Sequence, residues 1–303
     1  MIDKWLHRWN RWGVLTSQIA LMAILFLYGS RAYSSTVMIA FAITILLAQA
    51  HHQWVHLSLD GLIDQANHKG NFKSVARLAW IHQDYVVLGS ALLAGISFLS
   101  LWLINDLTNV PYSMMIILLA GFNASWRTTL RYQATPIIIQ AVALRRLLLI
   151  VGGLVLFFFD PRAEQGVWLF LIVIVALSIS ALRLLIGHLQ RYKEQRYRRQ
   201  FEDSGQKESY VKLATQIFQA YGKNASMLLL PVLMGLTISV VFRVVLSSIE
   251  VVSWFNTIVV VFGGVLFARI QVASLIPAVH DWATAFKTPV SYTHLTLPTN
   301  REV

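Results

Sequence analysis

Five residues of this chain have the type and setting to handle a charged or polar ligand: Arg243, Arg131, Arg127, Gln49 and His52. All lie in or beside long apolar runs, where an ionisable group is costly and usually faces a cavity or a partner helix. The guanidinium fork grips two phosphate oxygens at once, so an oxyanion is the ligand these arginines fit. Arg127 and Arg131 are four apart and share a helix face. They either end a span at its cytoplasmic border or project into a cytoplasm-facing cavity. Arg243 either snorkels to periplasmic headgroups or lines a central cavity. Gln49, His52 and His56 follow i, i+3, i+7 spacing, hence one stripe, which is interfacial or lines a cavity. Asp60 and Asp64 are the acids near these histidines, too few to expect a metal site; no cofactor is expected either.

Chemistry of other kinds is not written here. The sequence has no P-loop, no Rossmann glycine fingerprint, no HExxH and no GxSxG. It has no cysteine, which excludes disulfides, thiolate metal sites and cysteine nucleophiles. With 14 Asp and Glu and no acid–base pair standing out, an enzyme is not expected.

The elements that must position these residues are apolar helices. The chain is 56% hydrophobic and 13% charged, against about 25% charged in an average soluble domain. Its mean hydropathy is +0.60. Stretches free of Asp, Glu, Lys and Arg recur at Trp12–Ser30, Ala32–Leu59, Tyr85–Asn105, Leu107–Trp126, Gln165–Leu182, Asn224–Phe242 and Val251–Ala268. Each approaches the roughly 20 residues that cross a bilayer core. Pro136–Phe159 is an eighth, with Arg145 and Arg146 snorkelling at its start. The expected fold is all-α: a polytopic transmembrane bundle of about eight spans, near 13–30, 36–55, 85–105, 111–131, 142–160, 166–188, 224–246 and 251–275. Gly152-Gly153 and Gly263-Gly264 allow close helix approach or bending.

Charge sets the orientation. Eighteen Lys and Arg fall in the segments on the N-terminal side of the membrane and two, Arg31 and Arg162, on the other. That bias puts the N-terminus in the cytoplasm. The net charge of +11 is therefore a topology signal and not a nucleic-acid one. No cleavable signal peptide is evident, so the first span reads as a retained anchor. Residues 1–188 form a first six-helix bundle, 189–223 a basic linker, and 224–288 the first two helices of a second bundle. The run Arg191–Arg199 in the linker is basic and amphipathic; it is a solvated connection, a surface helix on anionic lipid, or both.

Residues 289–303, PVSYTHLTLPTNREV, depart abruptly from this pattern. They resemble the translation of a transposon-end sequencing adapter and are expected to be a non-native tail. The natural gene would then continue past Thr288.

Two spans, a connection carrying KGNFKSVARLAW (Lys69–Trp80) with Gly70-Asn71, and then two spans close together form a layout similar to a known family. It resembles the polysaccharide (O-antigen-type) flippases of the multidrug/oligosaccharidyl-lipid/polysaccharide exporter superfamily. Arg127, Arg131, Arg145 and Arg146 match the family's Arg-bearing connection and fifth span. Residues 189–223 match its inter-half linker. Leu228–Ser248 with Arg243, then Phe255-Asn256 and Pro277, look like its seventh and eighth spans. Two positions depart: Phe242 stands where an Asp is frequent, and Gln49-Ala50-His51 where Asp-x-Gly is common. The resemblance implies two pseudo-symmetric bundles around a cavity, alternating access, and a lipid-diphosphate-linked oligosaccharide moved across the inner membrane. It implies membrane lipids and other polysaccharide-assembly proteins as further partners. Other classes remain as alternatives: a small-molecule or drug antiporter of the same superfamily, a non-transporting membrane scaffold, or a membrane-integral polysaccharide-assembly protein. An antiporter for cations needs an intramembrane carboxylate, and Glu250 at a span edge is the nearest to one.

Overall fold

A computed structural model of the chain describes residues 35–68, 72–130, 135–159, 167–199 and 210–246. Seven helices fill these ranges: α1 (Ser35–His68), α2 (Phe72–Leu103), α3 (Val110–Leu130), α4 (Thr135–Phe159), α5 (Val167–Arg199), α6 (Tyr210–Lys223) and α7 (Ser226–Leu246). Among the described residues there is no strand. The expected first and eighth spans and the tail 289–303 lie outside the described residues.

Among the described residues, four helices are long and apolar enough to cross a membrane: Thr36–Asp64, Ile81–Leu103, Pro136–Leu156 and Val167–Arg191. This is a helical membrane protein. Pro231–Val241 is a shorter apolar stretch. α3 falls short in apolarity because its second half buries Asn123, Ser125, Thr128 and Thr129 against its neighbours. Leu88, Leu92, Leu99 and Trp102 on α2, and Leu147, Val151, Leu154, Val155 and Phe158 on α4, form exposed apolar stripes. In water such stripes would be a liability; in a bilayer they are the lipid-facing surface.

Helices run past the expected span ends. α1 has 34 residues and α2 has 32, so much of the expected 56–84 connection is helix. Likewise α5 continues to Arg199 and α6 fills 210–223, so most of the basic linker is helical too. Helix ends follow local chemistry. α2 stops at Asn105, whose φ of 60° is the left-handed conformation that Asn tolerates better than most residues. Asp106 N–H then bonds the Leu101 carbonyl at 2.8 Å and Asn105 N–H the Trp102 carbonyl at 3.1 Å, the paired bonds of a Schellman stop. Asn109 closes the turn by donating to the Asp106 carboxylate at 2.8 and 3.0 Å. Pro111 and Pro136 occupy first turns, where the missing N–H costs nothing.

α1 is the central helix and packs on α2, α3, α6 and α7. Phe41 meets Phe170 of α5 edge-to-face at 5.4 Å, beside the fully buried Ile43, Leu47, Leu93, Ile116 and Ile117. The α1–α2–α3 seam also carries a ladder of buried polar rungs. Thr44, Ser113 and Ser97 share hydroxyl contacts of 2.9 and 2.5 Å. His51 meets Ser90 at 2.9 Å. Ser125 is met by His82 at 2.5 Å and accepts from Gln83 at 2.7 Å. Asn123 extends the ladder to α5, donating to the Leu177 carbonyl and accepting from Ser180. Lipid offers these groups no partners, so each rung favours helix association by about 0.6 kcal/mol.

α4 is placed differently. It packs along α5, meets α3 only briefly and scarcely approaches α1. Arg183 of α5 holds it by donating through Nη2 and Nε to Gln140 Oε1, at 2.6 and 3.2 Å.

Candidate functional site

The loose side of α4 brings the basic residues together. Arg145 on α4 and Arg127 on α3 both lie close enough to His52 on α1 for their charges to act on it. Arg127 and Arg145 also act on Arg146. All three guanidinium-bearing residues and His52 are half-buried. His56 stands one turn along from His52, the two rings tilted with centroids 6.2 Å apart. Its Nδ1 lies 2.7 Å from Asp60 Oδ2, so the stripe ends in an ion pair when the imidazole is charged. Gln49, half-buried, stands one turn before His52 on the same helix. Coulomb repulsion among three guanidiniums grows as the dielectric falls. An oxyanion held between them would offset that repulsion through charge-assisted hydrogen bonds.

The five sequence candidates therefore divide. His52, Gln49 and Arg127 belong to this basic cleft. Arg243 does not. It is exposed near the end of α7, with its guanidinium 5.2 Å from the ring centroid of the half-exposed Trp102 on α2. That places it among the residues near the α2–α3 turn, whereas Arg127 stands near the end of α3. Arg131 lies outside the described residues. The cleft adds Arg145 and Arg146, ten and eleven residues on from Thr135, about 15 Å along α4 from its start.

A second polar locus lies where α6 docks. Leu213, Ile217 and Tyr221 of α6 bury against Val55, Leu59 and Ile63 of α1 and Ile81 and Val86 of α2. Trp54 donates its indole N–H to the Tyr221 carbonyl at 3.0 Å, and Tyr85 its hydroxyl to the Ala214 carbonyl at 3.1 Å. Tyr221 stacks on Tyr85 at 5.7 Å and meets Trp54 edge-on at 4.7 Å. Burial pushes the Tyr221 phenol well above its ordinary range, so it stays neutral. Among the described residues no cluster of His, Asp and Glu has the makings of a metal site.

No protein-family model, no curated protein and no solved structure matches the chain. What it does must be argued from the bundle and its basic cleft.

Proposed function

We propose that this protein is a transporter of the inner membrane that flips a lipid-diphosphate-linked oligosaccharide between leaflets by alternating access. In this reading the chain has eight spans with a cytoplasmic N-terminus. The observation that carries it is the convergence of Arg127 and Arg145 on His52, with Arg146 beside the two arginines, inside a bundle of lipid-facing helices. A diphosphate cannot cross hydrocarbon unaided, because stripping its water is too costly. Guanidiniums at bilayer depth replace that water, while the lipid tail stays in the membrane. Gln49 and His52 supply neutral hydrogen-bonding groups beside the charges, suited to sugar hydroxyls. Arg131, four residues on from Arg127 in the sequence, would extend the basic path, and Arg243 would meet the headgroup on the far side.

The test is reconstitution in liposomes with a fluorescent lipid-diphosphate oligosaccharide, read by accessibility to an external quencher. The double variant Arg127→Ala/Arg145→Ala should slow flipping at least about 10-fold, the loss expected for roughly 1.4 kcal/mol of anion stabilisation. The Lys counterparts should recover part of the rate, because charge remains while the bidentate fork is lost. Flipping at the unaltered rate in the alanine variant would end the reading. A pH- or sodium-driven efflux of organic cations by the unaltered protein would favour the drug antiporter instead. No movement of either substrate would favour a scaffold or assembly role.

A further inference from the structure

His51 stands beside the basic cleft on α1 but turns away from it, into the α1–α2–α3 seam. It is fully buried. The seam is shaped around its ring by two glycines. A Cβ at Gly121 of α3 would collide with His51 Nε2, and one at Gly89 of α2 would lie 3.0 Å from its Cε1. The hydrogen bonds fix its tautomer. The Ser90 hydroxyl donates to the Val86 carbonyl at 2.7 Å. Its oxygen is therefore the acceptor for His51 Nε2, 2.9 Å away, and the proton of the neutral ring sits on Nε2. Nδ1 is left as a bare lone pair, buried, with no hydrogen-bond partner. A core histidine serving only as a packing group would normally use both nitrogens.

We propose that His51 Nδ1 is a proton-binding site, and that its protonation releases α6 from the ends of α1 and α2. The proton adds to the Nδ1 lone pair and no bond breaks. The imidazolium then carries a second N–H with no acceptor, in a slot that Gly89 and Gly121 line closely on two sides. The ring relaxes only by displacing its neighbour. That neighbour is Trp54, at 6.1 Å between ring centroids, itself pressed against Gly89. Trp54 is also the residue that hydrogen-bonds the α6 backbone and abuts Tyr221. A shift of Trp54 thus breaks the α6 contact directly. The groups facing His51 are Val86, Gly89 and Ser90 from α2, Gly121 from α3, and Trp54 from α1. Of ionisable groups, His52 is the chain neighbour and feels the charge of His51, and Tyr85 and Tyr221 lie beyond Trp54. The inference is independent of what the protein carries.

The chain contains no cysteine, so spin labels can be placed cleanly. Gln219→Cys on the exposed side of α6 and Leu154→Cys on the lipid-facing side of α4 give a pair whose separation reports α6 position. In lipid nanodiscs the pair is measured between about pH 8 and about pH 4, across and below the ordinary imidazole range. The expected result is a shift of several ångström (about 5 Å) in a single transition, absent in His51→Asn and His51→Gln. A shift that persists in both variants, or no shift in the unaltered chain, overturns the proposal. If neither variant folds, Ser90→Ala decides. It keeps the ring but removes the Nε2 acceptor, so the transition midpoint should move by at least half a pH unit; an unmoved midpoint overturns the proposal. A negative outcome here leaves the flipping assay untouched, and the reverse holds too.

Discussion

Two faces of the α3 helix show opposite solutions to the same problem. Toward α1 and α2, polar groups lacking a guanidinium pair with one another: Ser113 with Thr44 and Ser97, Ser125 with His82 and Gln83. Toward α4, the polar groups are long, cationic and close enough to repel one another: Arg127 with Arg145 and Arg146. The first arrangement brings backbones together and holds them. The second keeps a helix at arm's length, since packing α4 tightly there would strip water from three charges. The seam spends its polar groups on stability, and the cleft gathers like charges that repel one another.

That contrast predicts opposite signs for mutations a short distance apart. The largest effect belongs to the seam. Gly121→Val should destabilise the bundle by about 3 kcal/mol, because the added atoms meet His51 and Val86 with no room to yield. Resistance to unfolding in mixed detergent micelles reads this directly, and a variant as resistant as the parent would break the comparison. In the cleft, Arg145→Leu should do the reverse and raise stability by about 1 kcal/mol, since an apolar side chain replaces a crowded cation. The same variant should lose ligand response. Inorganic pyrophosphate at about 100 times its Kd should protect the unaltered protein by about 2.7 kcal/mol and the Leu variant hardly at all. Equal protection of both would move the anion elsewhere.

Smaller effects sharpen the picture. Ser113→Ala removes the hub of the Thr44–Ser113–Ser97 rung and should cost about 0.6 kcal/mol in the same unfolding assay. The least costly is Arg243→Ala. Its guanidinium over Trp102 is exposed, so its loss should cost about 0.5 kcal/mol. A loss several times larger would mean that this contact ties α7 to α2 more strongly than its exposure allows.

Much of the architecture was legible before any coordinates. Hydrophobic runs give the described spans because their cause is local: a helix that meets lipid must be apolar over a bilayer's width. The ends were less legible. Nothing in the alternation of Asp60, Asp64, Lys69 and Lys73 marks where helix leaves hydrocarbon and continues in water, so α1 and α2 outrun the expected spans. The Gln49–His52–His56 stripe is readable from spacing alone, and the His52 and His56 rings do lie near each other, tilted. That Arg127 meets Arg145 across two helices was not, because sequence spacing says nothing about which faces oppose after packing. Nor could it distinguish His51 from His52. Adjacent on one helix, they point about 100° apart, one into a glycine-lined slot and the other into the basic cleft.

The extra length of α1 and α2 has a mechanical consequence. At 1.5 Å per residue α1 is about 50 Å long, some 20 Å more than the hydrocarbon it crosses. Their paired ends make a stiff post, with α6 packed on Val55, Leu59 and Ile63 of α1 and Ile81 and Val86 of α2. A post of that reach is a lever: tilting it by about ten degrees swings its free end by roughly 3 Å. Small adjustments deep among the helices would thereby arrive at the water-exposed tip magnified, where anything that docks from the aqueous side would feel them first.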